Sequence, residues 1–135
     1  MTPDPQVGAY WERAKDALRA ARHLLVVSAA GAASRAYYAA FHAVSALFAV
    51  QGRAFRKHSA LEAAVHRDLV RTGKWVAELG EQYSRLVRLR NVSDYLVLEE
   101  VAAEQAEGAV KAAEAILAAV AKTDAHSFPL DSPDQ

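Results

Sequence analysis

Apolar residues recur along most of this chain at the three-and-four spacing of a helix face. From about Val7 to Val27, the residues Tyr10, Ala14, Ala17, Leu18, Ala21, Leu24 and Leu25 form one stripe. Glu12, Arg13, Lys15, Asp16 and Arg19 lie opposite. The stretch "SAAG" then breaks the pattern. A second helix is predicted from about Ala32 to Val50, stopping at Gln51-Gly52. Ala36, Tyr37, Ala40, Phe41, Val44, Leu47 and Phe48 make its main face, and Tyr38, His42 and Ser45 a second stripe. A helix apolar on two sides is buried on more than one side, at the centre of a bundle or at a subunit interface.

A loop and a short helix follow. Ser59 with Glu62 three residues on has the form of a capping box, so this helix is expected to start near Ala60, with Gly73 just past its end. The third long helix is predicted from about Ala77 to Asp94, with Leu79, Tyr83, Leu86 and Val87 as its stripe. The last runs from about Glu99 to Ala121, with Glu99, Glu100 and Glu104 complementing the helix dipole in its first turns. No segment alternates as a strand does, and no repeat is present. The expected fold is all-α: an antiparallel up-down bundle of four long helices plus one short helix. Residues 1–122 form the bundle domain, and residues 123–135, "TDAHSFPLDSPDQ", are expected to be a flexible tail.

The length of 135 residues suits one domain with a core that needs no staples. There is no cysteine, which excludes a disulfide framework and thiolate metal sites. The longest apolar runs, such as "AVSALFAV", are too short to span a bilayer. The start "MTPDPQVGAYWER" lacks a basic segment followed by an apolar one, so no signal peptide is expected and a cytoplasmic location is. Net charge is zero but uneven: residues 53–90 carry nine basic against four acidic side chains. Such a basic middle can attract phosphates, or be a solvated, salt-bridged helix surface.

The stretch "RLRNVSDY" (88–95) carries the candidate chemistry. Continuing the stripe of the third long helix through 79, 83 and 86 leads to Arg90 and then Asp94, where leucine would pack better. Four residues apart, the two side chains can meet. A buried guanidinium needs such a partner. Asn91 can add hydrogen bonds, and Tyr95 offers a phenol that donates or accepts. The plain reading is an ion pair that fixes helix register or dimer specificity; the other is a phosphate site. Of the histidines, His23 ends the first helix, His126 is in the tail, and His58 and His66 flank and line the short helix. His42 reads as a hydrogen-bonded core or interface histidine, or as a group near the cleft. No H-x-x-x-H or H-E-x-x-H pattern occurs, and no Gly-rich loop follows a strand, so neither a metal nor a cofactor is expected.

Taken in order, "SRAYYAAFHAVSALF" (34–48), "KHSALEAAVHRDLVRTG" (57–73) and "RNVSDY" (90–95) resemble the HEPN domain. The likeness spans roughly residues 8 to 121 and is greatest to a small stand-alone prokaryotic branch that reads R-x-x-x-D-Y. It implies a four-to-five-helix bundle that commonly forms a homodimer. Many HEPN proteins are metal-independent ribonucleases with an R-x(4–6)-H motif and a polar residue after the arginine. Two copies of that motif face each other across the dimer. Arg90 matches the arginine and Asn91 the polar follower, but the histidine is missing: Tyr95 stands five residues on and Leu96 six.

In the motif enzyme the histidine serves as general acid or base and the arginine stabilises charge on phosphate. Tyrosine, with an ordinary pKa of about 10, is a poor base. Ribonuclease activity is therefore expected to be weak or absent; if present, it rests on Arg90, Asp94 and Tyr95. The resemblance also implies nucleotide or RNA binding, through Arg88, Arg90, Asn91, Arg35, Tyr38 and His42, beside a minimal nucleotidyltransferase partner in a toxin–antitoxin-type module. Tyr95 is then the hydroxyl such a partner could modify. The alternatives are an endoribonuclease with a degenerate motif and a non-catalytic adaptor dimer.

Overall fold

The structure is a computed structural model that describes residues 4–131. Five helices follow in order: α1 (Pro5–Leu24), α2 (Ala29–Ala49), α3 (His58–Ala64), α4 (Ala77–Tyr95) and α5 (Ala103–Thr123). A π-helical segment, Val65–Val70, continues α3. The described residues form no strand, in keeping with the all-α bundle that periodicity predicts. None of their helices is long and apolar enough to cross a membrane.

The α2 helix is the central element, packed by α1, α4 and α5. Its fully buried alanines (Ala32, Ala33, Ala36, Ala39, Ala40 and Ala43) let neighbouring helices approach closely. Phe48, Leu61, Tyr83, Leu86, Ile116 and Leu117 fill the space between the helices.

Three expected boundaries move, each for a local reason. "SAAG" opens α2 rather than separating two helices: the Ser28 Oγ accepts the Gly31 N–H at 3.0 Å, and the helix starts at Ala29. Ser59 does not cap α3. That helix begins at His58, and Glu62 instead accepts a bond from the Ser84 hydroxyl of α4 at 2.7 Å, so a tertiary contact has taken the carboxylate. Glu99 and Glu100 lie in the α4–α5 connector. Only Glu104 is in the first turn of α5, where the Gln105 side chain accepts the Ala102 N–H at 2.9 Å. The π-helical segment packs against α4 at Gly80, where a Cβ would meet Val70 Cγ2 at 2.8 Å. Glycine at that position permits the close approach.

The C-terminal segment departs furthest from expectation. Thr123 still belongs to α5, and residues 124–131 fold back onto α1 rather than forming a flexible tail. Phe128 is buried against Trp11, with ring centroids 5.3 Å apart. The Trp11 indole N–H donates to the Pro129 carbonyl at 2.7 Å, and Asp131 meets Lys15 and Arg19. Burying one phenylalanine stabilises by about 1.5–3 kcal/mol. This cover also explains why Trp11 is fully buried while Tyr10, the expected stripe residue, is only half-buried. The last part of the expected tail, 132–135, and the first three residues of the chain lie outside the described residues.

Candidate functional site

The Ser93 hydroxyl donates to the Ala30 carbonyl at 2.7 Å and ties the last turn of α4 to the first turn of α2. One turn earlier on α4, Arg90 thereby comes to lie over the tyrosine pair of α2. Its guanidinium carbon is 5.4 Å from the Tyr37 ring centroid, 5.6 Å from Tyr38 and 5.0 Å from Tyr95. Electron-rich ring faces favour a cation at such distances. Arg90 Nη2 donates to the hydroxyls of Tyr38 and Tyr95, each at 3.1 Å. Nη1 reaches Asn91 Oδ1 at 3.5 Å, the limit of a hydrogen bond.

Asp94 Oδ2 lies 3.2 Å from Arg90 Nε, yet Nε makes no aligned hydrogen bond. The contact is one of charge. Burial works against the Arg90 charge, but the phenols, Tyr38 first, outweigh it and hold the guanidinium above its ordinary pKa. The side chain keeps 15% of its surface exposed. It is therefore neither a solvated arginine nor a sealed core pair.

Four of the expected site residues, Tyr38, Asn91, Asp94 and Tyr95, do gather around Arg90. Others do not. Arg88 is two positions from Arg90, more than half a turn round the helix, and shares a groove between α4 and α5 with Arg85 and Glu104. It is not part of the Arg90 site. Arg35 and His42 lie on the α1 side of Tyr38, in a separate groove. His42 is not the hydrogen-bonded histidine expected of a core: its Nδ1 is buried without a partner, among Tyr10, Tyr38 and Phe41. Burial, with Arg13 and His58 nearby, lowers its pKa and keeps it neutral.

Sequence reasoning missed His58 and Tyr37. His58 opens α3 and its Nδ1 lies 2.6 Å from the Tyr37 hydroxyl. Its ring stacks on Phe41 at 4.4 Å and meets the edge of Tyr38 at 6.1 Å. Partial burial, and then the Arg90 charge, lower its pKa, so it is neutral near pH 7. Burial pushes the Tyr37 phenol up to about 12, so it keeps its proton. A neutral imidazole, anchored through one nitrogen, thus shares the Tyr37–Tyr38 platform with a guanidinium. The "KHS" stretch names the histidine, but nothing local in the chain says that it meets α2.

The family profile of the HEPN domain matches residues 7–123. The chain belongs to the HEPN family. A UPF0332 protein of Thermotoga maritima is 38% identical to it over 124 residues, covering 90% of this chain and 94% of its relative. In this HEPN chain, Arg90 is held over an aromatic platform with Asn91 beside it. Among the described residues, no group of three or more His, Cys, Asp or Glu side chains is placed to hold a metal ion.

Proposed function

We propose that this HEPN protein binds a phosphate of a nucleotide or of RNA at Arg90, in a cleft between two copies of the chain, and acts with a minimal nucleotidyltransferase partner in a toxin–antitoxin-type module. One observation carries the binding step: the Arg90 Nη2 bonds go to two neutral phenol hydroxyls, not to a carboxylate. A phosphate oxygen that replaces a phenol gives the charged guanidinium a charged acceptor in place of a neutral one, and the bond gains the attraction of opposite charges. Tyr95, bonded to Arg90 and largely exposed, is the hydroxyl a partner enzyme would modify.

Thermal unfolding with AMP, ATP and octa-adenylate tests the binding step. A bound ligand raises the melting temperature by mass action. The rise should occur for the natural chain and vanish in Arg90→Ala. No rise at millimolar nucleotide would favour an adaptor dimer with no ligand of its own. Mass spectrometry of the Tyr95 peptide, after incubation with a minimal nucleotidyltransferase and ATP, tests the modification.

His58 favours a second reading, metal-independent RNA cleavage. In the tautomer whose Nδ1–H donates to the Tyr37 oxygen, the Nε2 lone pair is free. It would take the proton of a ribose 2′-hydroxyl as that oxygen attacks the adjacent phosphorus. Arg90 would stabilise the charge gathering on phosphate, and the 5′-oxygen would leave with a proton from water. Cleavage of unstructured RNA in chelator, lost in both His58→Ala and Arg90→Ala, is the expected result. Intact RNA at micromolar protein removes this reading and leaves the binding step standing.

A further inference from the structure

Tyr38 has two neighbourhoods. Its hydroxyl accepts from Arg90, while its side chain also lines a groove of about 470 Å³ between α1 and α2. Arg13 stands on the α1 wall of that groove and Arg35 on the α2 wall. Both are exposed, and among the described residues neither lies within salt-bridge distance of a carboxylate. The acid in the groove, Asp16, is engaged by Arg19. Ala17 and Ala20 leave room along the α1 wall. Two arginines therefore line one concave space whose lining acid, Asp16, is shared with Arg19, and Tyr38 joins that space to Arg90.

From this we infer that the α1–α2 groove is a second phosphate subsite, and that the ligand is a single strand of nucleic acid rather than a mononucleotide. The inference rests on the phosphate reading of Arg90. One phosphate of the strand sits at Arg90, and the strand passes over Tyr38 to place the next between Arg13 and Arg35. Phosphates along a strand are separated by a whole sugar, and Tyr38 stands between Arg90 and the groove of Arg13 and Arg35. A nucleoside monophosphate carries one phosphate and cannot fill both subsites, whereas a strand supplies one phosphate for each sugar. Between the subsites Tyr38 offers a ring face, the usual platform for an unstacked base.

Fluorescence anisotropy with 5′-fluorescein octa-adenylate, and AMP as competitor, tests the inference on the full-length chain. Arg13→Gln/Arg35→Gln should weaken octamer binding at least tenfold and shrink the affinity advantage of the octamer over AMP. The slope of log K against log salt should flatten by about 0.7 for each phosphate that is no longer neutralised. Because both side chains are exposed, the melting temperature should hold, which separates weakened binding from a failure to fold. If the double variant binds the octamer like the natural chain while Arg90→Ala does not, the subsite is overturned and the Arg90 reading survives. If Arg90→Ala binds AMP and octamer like the natural chain, the Arg90 reading fails, and this inference with it. If a poly-glutamate peptide displaces the octamer as well as unlabelled octa-adenylate does, the groove is a general acidic-ligand site and the strand assignment falls.

Discussion

Arg53 and Arg90 each lie over aromatic rings and each face an aspartate. The Arg53 guanidinium carbon is 4.7 Å from the Phe48 ring centroid and 5.3 Å from Phe55. Its Nη2 donates to Asp68 Oδ2 at 2.8 Å. Asp68 also accepts two bonds from Arg67, at 2.9 and 3.0 Å, and Arg67 and then Arg53 hold its carboxyl well below the usual range. Those contacts tie the α2–α3 connector to the π-helical segment. At Arg90 the rings are tyrosines, the aligned donors go to phenols, and the aspartate offers charge without alignment. Similar parts thus give a locked clamp in one place and an exchangeable one in the other. What separates them is whether an incoming anion must displace a carboxylate or only a neutral hydroxyl.

The contrast can be broken most directly by truncating each arginine. Arg90→Ala removes two bonds from a charged donor that gain a charged acceptor when phosphate arrives, each worth about 1.5–3 kcal/mol. Octa-adenylate affinity should fall by at least a hundredfold, while Arg53→Ala should change it by less than about threefold in the same titration. Equal losses would mean that both arginines act only as diffuse positive charge. Next in size is a stability effect of the opposite pattern. Arg53→Ala should lower the midpoint of a urea titration, because the contact with Asp68 and the cover over Phe48 and Phe55 are both lost.

The smallest effect sharpens the Arg90 side. Its neighbour His58 has a lowered folded-state pKa. The unfolded chain therefore binds a proton more readily than the folded one below the ordinary histidine value of about 6.5. Stability should be fully present above that pH and decline as pH falls below it. His42 contributes with the same sign. Urea unfolding at pH 7 and pH 5 should show this loss, and His58→Gln should reduce but not abolish it. An unchanged loss in that variant would mean that His58 is as free to titrate in the folded chain as in the unfolded one.

Much of the bundle was legible because helical periodicity is local. The stripe Ala14, Ala17, Leu18 and Ala21 is buried as its spacing implies, and so is the α2 face of Ala36, Tyr37, Ala40, Val44 and Phe48. The pairing of Arg90 with Asp94 was also legible, since four residues make one helical turn. The Ser28 cap was available in principle but was hidden behind a stretch that looks like a break. Phe128 gave no warning, because a lone aromatic in a polar segment has no period to betray its burial.

The sequence by itself determined the helix count, most of the buried face of α1 and α2 and the arginine–aspartate pair, because each depends on residues within a few turns of one another. Only the tertiary structure decided what those residues meet. It turned Arg88 toward α5 and Arg90 toward α2, brought His58 to Tyr37 across 21 positions, and laid Pro129 on Trp11 across 118. Contacts of that kind depend on how whole helices pack against one another, and no spacing within a single helix records which neighbour will stand beside it.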